Sequence, residues 1–235
     1  MDISVILPTY CECGNIRPLI EAIQTNLAPT GWQIEIIVVD DASPDGTAEV
    51  VRSTLTLPGV HLQCLVREQE RGLASAIKYG ILYCNGERVL VMDTDFNHSP
   101  DNLRAMAETL DTYDMVIGSR FVRGGGMEDR FRYVCSFLFN LFIRVLLFTP
   151  VHDNLCGFFA MKRQTLQDFD LGYTFRGYGE YFIRLVELAR RAHLSIREIP
   201  VFYTLRKSGE SKSHFGSMLR NYTSTTIELW GYRSK

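Results

Sequence analysis

Short, nearly unbroken apolar runs recur along the chain, separated by segments in which apolar residues return every three or four positions. A run without alternation reads as a strand buried on both faces, and a three-to-four repeat as the inward side of a helix. The runs are Ile3 to Leu7, closed by Pro8; Ile34 to Val39, closed by Asp40 and Asp41; Val60 to Val66; Val89 to Met92; and Met115 to Gly118. Between them the helical repeat covers Asn15 to Leu27, the segment carrying Val50 and Val51, Gly72 to Tyr83, and Asp101 to Leu110. Strands alternating with helices predict an α/β fold, with a mostly parallel central sheet and helices on both faces. Further on, Tyr133 to Phe148 reads as a helix and Leu171 to Arg191 includes one. Ile196 to Val201 is a strand that Pro200 places at an edge or a bend, and Met218 to Trp230 is a last helix.

Polar loops follow each of the first five strands: Pro8 to Glu12, Asp40 to Asp45, Arg67 to Gly72, Asp93 to His98 and Ser119 to Arg123. Ligands of parallel sheets bind at the carboxyl ends of the strands, so these loops predict one shared site. Its centre is Asp93-Thr94-Asp95. Two carboxylates leaving a buried strand can turn toward one point that suits a hard divalent cation, with Asn97 and His98 in reach, although Ser99-Pro100 also reads as the cap of the next helix.

Composition narrows the class. The chain has 235 residues, 46% hydrophobic and 22% charged, so it buries a substantial core. A net charge of −2 gives no global attraction for nucleic acid. The six cysteines have neither zinc spacing nor the density of a disulfide scaffold, which predicts a reducing, cytoplasmic compartment. MDISVILPTY enters a strand at once, without a basic start or long apolar core, which predicts no signal peptide.

Six ordered motifs then resemble a known family. They are Pro8-Thr9-Tyr10-x-Glu12-x-x-Asn15-Ile16, Asp40-Asp41-x-Ser43-Pro44-Asp45-Gly46-Thr47, Arg71-Gly72-Leu73-Ala74, Asp93-x-Asp95, Gly118-Ser119-Arg120-Phe121-Val122 before Gly124-Gly125-Gly126, and Arg206-x-x-Gly209-Glu210-Ser211-Lys212. Together they resemble the polyprenyl-phosphate glycosyltransferases of glycosyltransferase family two, most of all the dolichol-phosphate mannose synthases. The resemblance implies a single GT-A catalytic domain over residues 1–235, with a nucleotide-sugar-binding half at 1–118, an acceptor-side half at 119–213 and a C-terminal helix in 214–235. It implies inverting transfer of a hexose, usually mannose from GDP-mannose, to a polyprenyl or dolichyl phosphate, with Mg2+ or Mn2+. By position Pro8, Tyr10, Glu12 and Asp41 would hold base and ribose, Asp93, Asp95 and Asn97 the metal, and Arg120 and Arg206 phosphates, with Ser211 and Lys212 closing over the site. Asp95, Arg120, Arg206 and Lys212 would be catalytic. Two departures stand out: Asn97 replaces a longer Gln, and Leu155-Cys156-Gly157-Phe158-Phe159 lacks the Arg of a Thr-Ser-Gly-Phe-Arg run.

The residue types fit such a transfer. A cation stabilises the departing diphosphate, and a phosphate monoester, with a second pKa near about 6, attacks without a strong base. Arg120, Arg123, Arg130 and Arg132 in a mobile glycine-rich loop supply positive charge for it. In Tyr133 to Phe148 the polar residues Arg132, Ser136, Asn140 and Arg144 recur every four positions and the remaining arc is apolar. Either this helix packs between sheet and C-terminal segment, or its apolar face lies in a bilayer interface and Arg132 and Ser136 reach the lipid phosphate. The second option makes the protein peripheral on the cytoplasmic face of a membrane. Other readings keep the fold but use UDP-glucose or UDP-N-acetylglucosamine with undecaprenyl phosphate or a saccharide hydroxyl, for which Glu180 is the base candidate, or make the chain a non-catalytic lipid- or nucleotide-binding protein.

Overall fold

A computed structural model describes residues 1–205 and 215–231. In chain order it runs β1 (Ile3–Thr9), α1 (Cys13–Leu27), a 3-10 turn (Ala28–Thr30), β2 (Ile34–Asp40), α2 (Thr47–Arg52), β3 (Val60–Val66), α3 (Leu73–Tyr83), β4 (Arg88–Val91), α4 (Asn102–Thr109) and β5 (Met115–Ser119). There follow β6 (Gly126–Met127), α5 (Arg130–Leu147), β7 (Phe159–Lys162), α6 (Arg163–Gln167), α7 (Leu171–Thr174), α8 (Tyr181–Arg191), β8 (Ile196–Pro200), β9 (Phe202–Tyr203) and α9 (Phe215–Gly231).

Seven strands form one sheet in the order β3-β2-β1-β4-β7-β5-β8, while β6 and β9 pair separately. Every pairing in the large sheet is parallel except those of β7, which lies antiparallel between β4 and β5. Every residue of β1 and β2 is buried, as unbroken apolar runs require of central strands. Helix α3 lies against them so closely that a Cβ on Gly80 would come within 2.5 Å of Ile6 Cγ2.

Several boundaries differ from the pattern reading for identifiable reasons. Pro8 does not close β1, which continues to Thr9. The Ile6 carbonyl faces β4 and accepts from Met92 N, so the amide that Pro8 lacks points to the same side, where β4 has already ended, and no ladder bond is lost. Strand β8 is the outermost strand, so Pro200 sits at an edge as its chemistry demands. Helix α5 begins three residues earlier than Tyr133, because the Asp129 carboxylate caps it by accepting from Arg132 N at 3.0 Å. Arg130 and Arg132 therefore stand, exposed, on its first turn rather than in a loop. Nor does the glycine-rich stretch hang free: Gly126 N donates to the Val201 carbonyl and Glu128 N to that of Tyr203, which is what makes β6 and β9 a ribbon.

Candidate active site

Five loops leave parallel strands at one edge of the sheet, and they are bonded to one another. Asp41 N donates to the Thr9 carbonyl and Arg67 N to that of Asp40. Cys11 N donates to Ser43 Oγ (2.8 Å), Glu12 N to Thr47 Oγ1 (3.1 Å) and Cys13 N to Asp45 Oδ2 (3.1 Å). The loops after β1 and β2 thus form one wall, and Tyr10 lies on it with Arg71 Nη1 donating to its hydroxyl at 3.2 Å. Pro8 is inside β1, and Glu12 stands at the start of α1 with its Oε2 taking Asn15 Nδ2 at 2.7 Å. Asp41, given to base or ribose by resemblance, is turned inward: its carboxylate takes Nε and Nη2 of Arg67 and the Gly72 amide.

Beside this wall, Asp93 is half-buried and Asp95 buried. Asp95 Oδ1 accepts from Asn97 N (3.0 Å) and Oδ2 from Asn97 Nδ2 (2.7 Å), and the same Nδ2 also donates to the Tyr203 hydroxyl at 2.8 Å. The Tyr203 phenol marks the spot beside Asn97, and burial first, then the charges of Asp93 and Asp95, hold it well above its ordinary value. Arg120 comes to that spot too, with its guanidinium 5.5 Å from the Tyr203 ring centroid.

Arg120 is not the free cation the sequence suggests. Asp153, fully buried, takes Arg120 Nε and Nη2 at 2.8 Å each and the Arg120 amide at 3.0 Å. Burial alone would pull the guanidinium down, but Asp153 outweighs it and keeps the charge. Arg120, given to a phosphate by the resemblance, is thus the fixed positive end of a buried pair. The pair is anchored from behind by Glu198, which accepts from the amides of His152 and Asp153.

Strand β7 brings Cys156 to this edge, its Sγ 3.3 Å from His98 Nε2. His98 is buried, stacks on Phe158 and meets Tyr203 edge-on. Burial, then Arg120, pushes its pKa to about 3, so it stays neutral. Phe159, where the resembling proteins carry a cation, is core and packs on Phe182 with centroids 5.7 Å apart. Glu180 is buried with its Oε2 accepting from Tyr178 N, a contact of the loop before α8. Arg206, Ser211 and Lys212 lie outside the described residues.

Helix α5 turns Asn140 of its polar stripe, with Ile143 and Leu147, to the protein and a second apolar stripe outward. Asn140 is buried, and its Oδ1 accepts from Asn154 N at 2.7 Å. Ile143 and Leu147 pack with Ile183, Tyr222 and Leu229 of α8 and α9. Phe131, Val134, Leu138, Leu141 and Val145, with Phe148 just past the helix end, are 44% to 78% exposed. Packing against the C-terminal helix therefore uses one narrow face and leaves the rest uncovered. Ser136 is half-buried and Arg132 exposed at the amino end of the same helix. No helix among the described residues is long and apolar enough to cross a membrane.

The sequence alone did not single out Arg67, Asp153 or Tyr203. Asp153 carried one signal, a lone acid within an otherwise apolar or amide run, whereas Tyr203 carried none, since its neighbours come from β4 and β5 loops distant in the chain.

Residues 4–169 match glycosyl transferase family 2. The chain belongs to this family. It is 29% identical over 240 residues to a dolichol-phosphate mannosyltransferase of Saccharomyces cerevisiae, covering 99% of this chain and 88% of that one. It is 34% identical over 243 residues to a polyprenol monophosphomannose synthase of Mycolicibacterium smegmatis, covering 98% and 87%. Among solved structures, glucosyl-3-phosphoglycerate synthase from Mycobacterium tuberculosis, in complex with Mn2+, UDP-glucose and phosphoglyceric acid, superposes with a TM-score of 0.74 over 98% of this chain and 80% of that one, at 20% identity. The fold is GT-A, and this family-2 member is a glycosyltransferase.

Among the described residues no group of three or more His, Cys, Asp or Glu converges as a metal cage. Asp93 and Asp95 nevertheless fit a hard cation that shares its shell with a diphosphate: both are oxygen donors in the loop that leaves β4, and a nucleotide-borne ion needs only one or two protein carboxylates.

Proposed function

We propose that the chain transfers mannose from GDP-mannose to a polyprenyl or dolichyl phosphate with inversion, using Mg2+ or Mn2+, while lying peripherally on the cytoplasmic face of a membrane. The names of the yeast and mycobacterial relatives support the sugar and the acceptor class. The single observation that carries the acceptor is the exposed apolar stripe of α5. A water-soluble acceptor gives such a stripe no purpose, whereas a polyprenyl chain and its bilayer cover it. The arginines of its first turn, Arg130 and Arg132, with Ser136 one turn on, stand where the acceptor's phosphate would meet charge.

In this reading an oxygen of the acceptor phosphate forms a bond to the sugar's anomeric carbon from the side opposite the leaving group. The bond from that carbon to the diphosphate breaks, and its electron pair leaves with the nucleoside diphosphate. No proton has to move, because the monoester is already largely dianionic at neutral pH. Asp93, Asp95 and the oxygen of Asn97 would hold the divalent ion, whose chemistry is to stabilise charge on the departing diphosphate. The wall from Pro8, Tyr10 and Glu12 to Asp41 shapes the nucleotide's seat. Buried Arg120 keeps a fixed positive charge beside the reacting centre, preorganised by Asp153, and the family resemblance gives Arg206, Ser211 and Lys212, outside the described residues, a share in the reaction.

The test is an incubation of purified protein with Mn2+, labelled GDP- and UDP-sugars and short polyprenyl phosphates, followed by extraction into organic solvent. Label from GDP-mannose in the organic phase, lost on chelation, is the expected result. Transfer from UDP-glucose alone would reassign the donor, and no lipid product with any donor would overturn the proposal.

A further inference from the structure

The loop that carries Asp95 is clamped from outside by the β9 strap. Phe96 sits at φ +62, a left-handed conformation that side-chain-bearing residues adopt at a cost of roughly 1–2 kcal/mol. The strap holds it there: Thr204 Oγ1 donates to the Phe96 carbonyl at 2.8 Å and Thr204 N to the Asn97 carbonyl at 3.1 Å. Between these bonds and the ribbon stands Tyr203, whose ring faces the edge of His98 (5.0 Å) and the guanidinium of Arg120. Its hydroxyl reaches one partner of consequence, the Nδ2 of Asn97 at 2.8 Å.

A carboxamide nitrogen has two hydrogens. Here Asp95 Oδ2 takes one and the Tyr203 hydroxyl the other, so the oxygen is the atom of Asn97 that stays available. We propose that Tyr203 is a positioning residue: by occupying the second N–H of Asn97 it fixes which atom of that short amide is left to serve a cation held by Asp93 and Asp95. With the aspartate alone the amide keeps a rotation about the single remaining bond, and a one-methylene-shorter side chain has little slack to recover the geometry. The tyrosine supplies by a hydrogen bond the orientation that reach alone does not. The inference rests on the reading of Asp93 and Asp95 as cation ligands, and its test separates the two.

Binding of Mn2+ in the presence of GDP is followed by the electron paramagnetic resonance signal of free Mn2+, for wild type, Tyr203→Phe, Asn97→Ala and the double variant. Phe keeps the ring contacts with His98 and Arg120 and removes only the hydroxyl. Tyr203→Phe is expected to weaken Mn2+ about tenfold in the wild-type background, as one hydrogen bond to a preorganised ligand warrants, and to leave it unchanged in the Asn97→Ala background. The same loss in both backgrounds, or none in either, overturns the role assigned to Tyr203 while leaving the metal site standing. Wild-type protein that binds no Mn2+ with GDP present overturns the cation reading itself. Asn97→Ser, which keeps a hydrogen bond to Asp95, replaces Asn97→Ala if that variant melts below the assay temperature.

Discussion

At the scale of single residues, the site is built from side chains whose charges are already committed. Asp153 and Arg120 form a buried bidentate pair, with side chains 0% and 7% exposed. Removing one partner leaves the other charge in a poorly solvated place without compensation, which costs about 3–5 kcal/mol. Asp153→Asn preserves shape and one acceptor, so the lower end of that range is expected, seen as a lower urea midpoint with an unchanged slope. Asp95 is the opposite case. Both its oxygens take hydrogen bonds from Asn97, and an asparagine keeps the side chain's shape, so Asp95→Asn should fold near-normally. If Asp95 holds the cation as proposed, the variant should nevertheless lower kcat by about 100-fold or more, because the lost charge would stabilise the transition state. Equal kcat in mutant and wild type would remove Asp95 from the chemistry.

At the scale of elements, the unbroken apolar runs were legible because burial on both faces leaves no alternation, and the edge position of β8 was legible because Pro200 permits little else. Strand β7 was not: Phe158 to Met161 is a short apolar run, and only its antiparallel partners Val89 to Val91 and Met115 to Ile117, far away in sequence, make it a strand. The amino end of α5 was hidden by the glycines before it, which masked the Asp129 cap. Its period was readable but its orientation was not, since a polar stripe ordinarily faces water and here Asn140 is satisfied by Asn154 inside. Likewise the paired Asp93 and Asp95 were visible as a motif, whereas Tyr203, which holds Asn97, and Asp153, which holds Arg120, are set by tertiary contact. The outward stripe of α5 yields its own prediction. Phe131, Leu138 and Val145 recur every seven residues and are 78%, 57% and 64% exposed, so serines at all three should leave the melting temperature almost unchanged. Each loses on the order of 1 kcal/mol of partly buried apolar surface in a lipid interface, so affinity for anionic vesicles, read by flotation, should fall about 100-fold. Activity on a short, water-soluble polyprenyl phosphate should persist. Undiminished vesicle binding would show that α5 is not the face that meets lipid.

At the scale of the whole molecule, acid stability is set by groups spread over the sheet rather than by the site alone. Burial by itself would raise Glu35, but hydrogen bonds from Ser4 Oγ (2.5 Å) and the Asn85 amide (2.8 Å) outweigh it and hold the carboxyl below its ordinary 4.5. Glu187, similarly buried, is held below 4.5 by Arg190 and Arg191. A carboxyl whose folded pKa is depressed stabilises the fold fully above its unfolded value and loses that contribution as pH falls below it. These two groups therefore act below pH 4.5. His98 has the same sign in a higher window: its ordinary 6.5 drops to about 3 in the buried ring, so the unfolded chain binds a proton that the native one refuses, and stability falls from pH 6.5 downward. The urea midpoint should stay level above about pH 7, decline gently below 6.5 and steepen below 4.5. His98→Gln carries no titrating group and should flatten the first decline while keeping the second. Glu35→Gln should do the reverse, sparing the decline between 6.5 and 4.5 and reducing the slope beneath it. If His98→Gln leaves the slope between pH 6.5 and 4.5 as steep as in wild type, His98 is not the buried neutral imidazole that couples the site to the stability of the sheet.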